Sequence, residues 1–172
     1  MILKQFVSYL RDMTTEGARR SFIALNLSLR YGCRVHHSCH IDCPERVSLA
    51  PHVNIGERVH LRCPGNATIE IREGALINPF CVLMADCGKI VIGQGSSLQY
   101  HSAIYGTGGV HIGEKTRISA NVLILATIHK HHDRTQPTIH QGITGKGVFS
   151  DRMSGLVQAV LFLMAPKLDR TP

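Results

Sequence analysis

The chain has 172 residues, 44% apolar and 18% charged, with a formal net charge of +7. That composition excludes a disordered tail and a collagen-like repeat, and no apolar run approaches the ~18 residues of a membrane span. Trp is absent and aromatic residues make up 5%, so a core must be built from aliphatic side chains. The positive balance suits an anionic partner. The basic residues are scattered and do not interleave with aromatics, so no nucleic-acid partner is expected. Met1-Ile2-Leu3-Lys4-Gln5-Phe6 lacks the apolar stretch of a secretory signal. Six cysteines in that context argue for reduced thiols and a cytoplasmic protein rather than a disulfide scaffold.

Residues 1–32 read as an N-terminal helical cap. Leu3, Phe6, Val7 and Leu10, then Phe22, Ile23, Leu25, Leu27 and Leu29, are interleaved with Lys4, Arg11, Arg19, Arg20 and Arg30. This pattern predicts one or two amphipathic helices, broken near Thr14-Thr15-Glu16-Gly17. The segment either covers the open end of the repeat that follows or lies on an anionic membrane surface. Its apolar content favours the cap, with peripheral membrane contact kept as the alternative.

From residue 33 the chain is periodic. Val35, Ile41, Val47, Val53 and Val59 are spaced by six, as are Ile71, Ile77 and Leu83, then Ile92, Leu98 and Ile104, then Ile112, Ile118 and Ile124. A helical period does not give six so regularly. One aliphatic residue per flat side predicts a three-sided parallel β-solenoid, with a turn of about 18 residues. Ile-Gly recurs at Ile55-Gly56, Ile92-Gly93 and Ile112-Gly113, where glycine is expected to permit positive φ at a corner. Four residues after each aliphatic position a small side chain is expected. Cys39, Ala75, Cys81, Cys87, Ser96, Ser102 and Thr116 fill that slot.

These tracks and corners, over about residues 33–148, resemble the hexapeptide-repeat acyltransferases. The resemblance implies an all-β fold, a left-handed parallel β-helix, whose hand runs against the usual crossover rule. After Ile124 the rhythm stops, and residues 126–147 form a long loop with four histidines in the 12 residues His129 to His140. Loops of that length are usually functional or disordered. The stretch Ile112 to His131 is similar to sugar O-acetyltransferases of the maltose and galactoside type. Asn121 and His129 occupy the places of that family's site Asn and His. The resemblance implies acetyl-CoA as co-substrate, a sugar or glycan acceptor and a homotrimer with sites between neighbouring solenoids. It implies His129 as general base, since an imidazole with pKa near 6.5 is mostly neutral at cytoplasmic pH, and Asn121 as a substrate-binding residue. The tetrahedral oxyanion would need backbone donors near a corner. The family commonly has Asn before the His, where this chain has Ile128. Lys130, Arg134 and Lys146 are expected to be solvated loop charges rather than specific phosphate contacts.

Metal readings compete and are not favoured. His129, His131, His132 and Asp133 match no strong metal spacing. His36, His37, Cys39, His40 and Cys43 look like a zinc cluster, but Val35, Ile41 and Val47 run through them, so structural cysteines and exposed histidines are expected. A metal-binding β-helix of the carbonic-anhydrase kind needs histidines at wider spacing.

Residues 149–172 read as an atypical tail. The family continues with further Ile-Gly coils, which form much of the acetyl-CoA groove, and this chain has none. Gly155-Leu156-Val157-Gln158-Ala159 can be encoded so that reading one nucleotide earlier gives Trp-Ile-Gly-Ala-Gly. Leu163-Met164-Ala165 can then give Asp-Gly, and Lys167-Leu168-Asp169 can give Ile-Gly. A frameshift near residue 149 accounts for all three. The expected function is therefore acetyl transfer to a sugar or polysaccharide hydroxyl. The alternative is a catalytically impaired or inactive β-helix remnant or scaffold.

Overall fold

The structure, a computed structural model, describes residues 2–126 without a break, and beyond them 128–129, 135, 137, 140, 143–145, 147–150 and 156–157. One 30-residue helix, α1 (Ile2–Tyr31), opens the chain. It runs through Thr14–Gly17, where a break was expected. Glu16 instead accepts a hydrogen bond from Arg20 Nε at 3.0 Å, one turn on. The intrinsic cost of Gly17, about 1 kcal/mol, and the smaller costs of Thr14 and Thr15 oppose the helix there. The helix ends at Gly32, whose φ is +61°. The Cys33 amide then donates to the Ser28 carbonyl at 3.2 Å, a Schellman-type ending.

The C-terminal half of α1 covers the end of a parallel β-solenoid. Ala24 and Leu27 are buried in the core. The Val35 amide, which has no preceding coil to pair with, donates to Ser28 Oγ at 3.0 Å. Both the apolar and the hydrogen-bonding needs of the first coil are met from the helix.

The solenoid has three parallel faces. The first stacks Arg34–Val35, Asn54–Ile55, Leu76–Ile77, Ser97–Leu98, Arg117–Ile118 and Leu156–Val157. The second stacks His40–Ile41, His60–Arg62, Val82–Met84, Ala103–Tyr105 and Leu123–Leu125. The third stacks Val47–Leu49, Thr68–Ile71, Lys89–Ile92, Val110–Ile112 and Val148–Ser150. Period-two alternation sends one aliphatic residue per short strand inward. Ile55, Ile77, Leu98, Leu61, Leu83 and Ile104 are all at most 1% exposed.

The coil is longer than the six-residue count suggests. Arg34 pairs with Asn54, Asn54 with Leu76, Leu76 with Ser97 and Ser97 with Arg117. Coil lengths are therefore 20, 22, 21 and 20 residues. Val53 and Val59 are buried, but they do not stack on Val35 and Ile41; Ile55 and Leu61 do. They stand just before their strands, and their carbonyls accept from the amides of Arg34 and His40.

The Ile-Gly corners also differ from expectation. Gly56 and Gly93 do not have positive φ. A Cβ on Gly56 would meet Pro79 at 2.7 Å, and one on Gly93 would run into the backbone of Gly113. Glycine is needed there for close coil-to-coil approach. On two of the corners the left-handed positions lie two residues before the strands, at Gly32, His52, Gly74, Gly95 and Lys115 on one corner. On the next they are Arg58, Phe80, His101 and Asn121.

Four of the small-slot residues are polar for a reason beyond size, whereas Ala75 has no polar group and Thr116 Oγ1 is buried without a hydrogen-bond partner. Cys39 Sγ donates to the Gly56 carbonyl at 3.0 Å, Cys81 Sγ to Gln99 O at 3.0 Å, Ser96 Oγ to Gly113 O at 2.6 Å and Ser102 Oγ to Ser119 O at 2.8 Å. Each reaches a carbonyl of the next coil where the chain turns. Cys87 does not belong to this set, because it is exposed in the turn before Gly88. Cys63, four residues after Val59, is fully buried.

Candidate functional site

Asn121 sits at a solenoid corner, exposed, with φ +58°. Asparagine tolerates the left-handed region better than most side chains, so the corner itself favours this residue type. Its amide donates to the Tyr100 carbonyl at 2.9 Å. Beneath it the same corner carries His101, Phe80 and Arg58. The His101 and Phe80 rings stack with centroids 4.9 Å apart and planes 9° apart. Arg58 Cζ lies 5.9 Å from the Phe80 centroid. This outer column, ending in Asn121, was not legible as a set in the sequence. Its members are 22, 21 and 20 residues apart, a spacing that follows only once the coil length is known.

His129 lies in the short strand Ile128–His129, which pairs antiparallel with Ile143–Thr144; His129 stands opposite Ile143. In a molecule whose other strand pairs are parallel among the described residues, this pair marks the loop as a distinct feature. The loop leaves the solenoid after Ala126, whose amide donates to Tyr105 O at 2.8 Å and whose carbonyl accepts from the Gly108 amide at 2.9 Å. Gly145 packs on Gly108 and Ala126 so closely that a Cβ has no room. The base of the loop is thereby pinned between two backbone segments. The His129 side chain lies outside the described residues, as do Lys130, His131, His132, Asp133, Arg134 and Lys146.

The histidine-cysteine cluster around residues 36–43 separates on folding. Cys39 turns inward, and burial pushes its thiol up to about 11. His36 Nδ1 is 2.8 Å from Ser38 Oγ. His40 turns outward instead and meets Asp42 and, from the next coil, His60. His40 Nε2 is 2.7 Å from Asp42 Oδ1, and His60 Nε2 is 3.5 Å from Asp42 Oδ2. Burial, then the neighbouring His40, hold His60 below the ordinary imidazole range. The sequence contained the signal, since one 20-residue coil separates the two histidines, but a six-residue count does not align them.

The expected boundary at residue 149 falls within the strand Val148–Ser150, which pairs in register with Val110–Ile112. Leu156–Val157 pairs with Arg117–Ile118. The other residues from 151 to 172 lie outside the described residues. Among those described, no helix is long and apolar enough to cross a membrane. Compared with protein-family models, with curated proteins and with solved structures, the chain finds no match.

Proposed function

We propose that this β-solenoid is an acetyl-CoA-dependent O-acetyltransferase acting on a sugar or polysaccharide hydroxyl. The observation that favours it most is the loop carrying His129. It emerges between the second-face strand Leu123–Leu125 and the third-face strand Val148–Ser150, on a chain whose preceding residues resemble sugar O-acetyltransferases. In this reading the acceptor oxygen attacks the thioester carbonyl while His129 takes its proton. The tetrahedral intermediate collapses, the carbon–sulfur bond breaks, and the proton passes to the departing CoA thiol. Asn121 holds the acceptor or the acetyl group by hydrogen bonds. The exposed corner beside it offers Tyr100 and His101 as further contacts for a hydroxylated ligand. A homotrimer, with each site shared between neighbouring solenoids, completes the proposal.

The test is release of CoA thiol from acetyl-CoA over a panel of mono- and oligosaccharide acceptors. Acceptor-dependent release is expected, lowered about 10²–10⁴-fold in His129→Ala. Release that ignores this substitution would remove His129 from the chemistry. No release with any acceptor would favour the inactive scaffold.

A further inference from the structure

We propose that His40, Asp42 and His60 form a binding site for a zinc-like divalent metal ion, on the second face of the solenoid and independent of the loop that carries His129. Register builds the site. His40 and His60 are directly paired on adjacent parallel strands. Their rings stand edge to face with centroids 4.6 Å apart. Asp42 follows His40 by two residues, so its side chain shares the outward face while Ile41 points into the core. One nitrogen from each histidine and one carboxylate oxygen lie within 4.8 Å of one another.

The dimensions suit the ion. Zinc binds histidine nitrogen and carboxylate oxygen at about 2.0–2.2 Å, so neighbouring donors around a tetrahedral ion are about 3.3 Å apart. The observed separations, 2.7 Å from His40 Nε2 to Asp42 Oδ1 and 3.5 Å from His60 Nε2 to Asp42 Oδ2, lie on either side of that value, each to its own carboxylate oxygen. Small side-chain rotations would admit the ion without moving either strand. His60 Nε2 is itself buried and has no hydrogen bond of good geometry, its nearest charged neighbour being Asp42. A buried donor atom left in that state is costly unless something else binds it. Three protein ligands leave a fourth position open. His40 and His60 line a cleft together with Arg20, Ser38 and Arg58, which favours hydroxide or a small oxyanion as the fourth ligand.

Three guanidinium charges work against the ion: Arg20 and Arg58 in the same cleft, and Arg62 beside the carboxylate. Arg62 Nε lies 3.8 Å from Asp42 Oδ2 and competes for the carboxylate. This gives the proposal a variant that strengthens binding rather than abolishing it. The experiment is titration of the purified full chain with Co²⁺, followed by visible absorption, with circular dichroism to confirm folding of each variant. One equivalent is expected to bind with a nitrogen/oxygen-type spectrum and no thiolate charge-transfer band. Binding should weaken about a hundredfold or more in His60→Gln and in Asp42→Asn, and tighten in Arg62→Gln. His131→Gln with His132→Gln should leave it unchanged. Three results would each overturn the proposal: no stoichiometric binding, a thiolate band, or binding lost with the loop histidines but kept in His60→Gln. If His60→Gln does not fold, an unchanged affinity in Arg62→Gln overturns it as well.

Discussion

Cysteine shows how one residue type takes different roles along a single chain. Cys39, Cys63 and Cys81 are buried, and burial pushes each thiol up to about 11. Because the thiolate is the nucleophile, these three should resist alkylation at neutral pH. Cys87 is exposed and should react first. Mass spectrometry of the native chain after a brief iodoacetamide pulse is expected to find Cys87 modified and Cys39, Cys63 and Cys81 intact. Equal labelling of Cys81 and Cys87 would mean that the coils are open. The sequence assigned Cys39 and Cys81 correctly because they fall before a strand, where a small donor meets a corner carbonyl. It misplaced Cys87 because the third corner turns differently. There Gly88 closes the turn, with no room for a Cβ against the backbone of Gly106 and Gly109, and its neighbour is left outside. Asn121 teaches a related lesson. A family-like position and a left-handed corner ask for the same residue, so its identity alone does not separate binding from backbone geometry.

At the scale of elements, the helix and the loop are the two departures from the repeat. Helix α1 meets the solenoid through Ala24 and Leu27 and through Ser28, while Phe22, Leu25 and Leu29 on its other side are exposed. The amphipathic pattern announced a helix but also a break that the continuous helix does not have, because glycine and threonine lower helix propensity without forbidding it. Gly17 is exposed, with nothing within 4 Å of a built Cβ. Gly17→Ala should therefore stabilise the protein by about 0.5–1 kcal/mol. A raised thermal midpoint is the expected result, and a lowered one would show that the helix is not continuous there. The loop was legible as an interruption of rhythm and as a run of histidines. Its antiparallel pairing was not, since Ile128-His129 and Ile143-Thr144 carry too few residues to show a strand period of their own.

The whole molecule is a stack, and its stability should depend on depth within that stack. Each coil touches only its neighbours, so inner coils gain two interfaces and an end coil gains one from the stack itself. Leu83 lies in the middle of the second face, fully buried between Leu61 and Ile104. Val35 lies on the first coil at 8% exposure. Leu83→Ala should cost about 2–5 kcal/mol, and Val35→Ala clearly less. Urea unfolding monitored by circular dichroism measures both. Equal losses would argue against a continuous stacked core.

The periodicity of aliphatic residues by itself determined a three-sided parallel β-solenoid, because one inward side chain per flat face leaves a repeat that no helix produces. It also determined that α1 is amphipathic and that the repeat is interrupted after Ile124, while the return of Val148–Ser150 and Leu156–Val157 to the parallel faces was not visible in it. The coil length of 20–22 residues was decided only by the tertiary structure. The corners absorb extra residues, and a count along the chain has no means of telling a corner residue from a strand residue when both are buried valines. With the coil length unknown, neither vertical alignment was visible. Arg58, Phe80, His101 and Asn121 form one column only because successive corners superimpose. His40 meets His60 only because hydrogen bonding between parallel strands fixes their register.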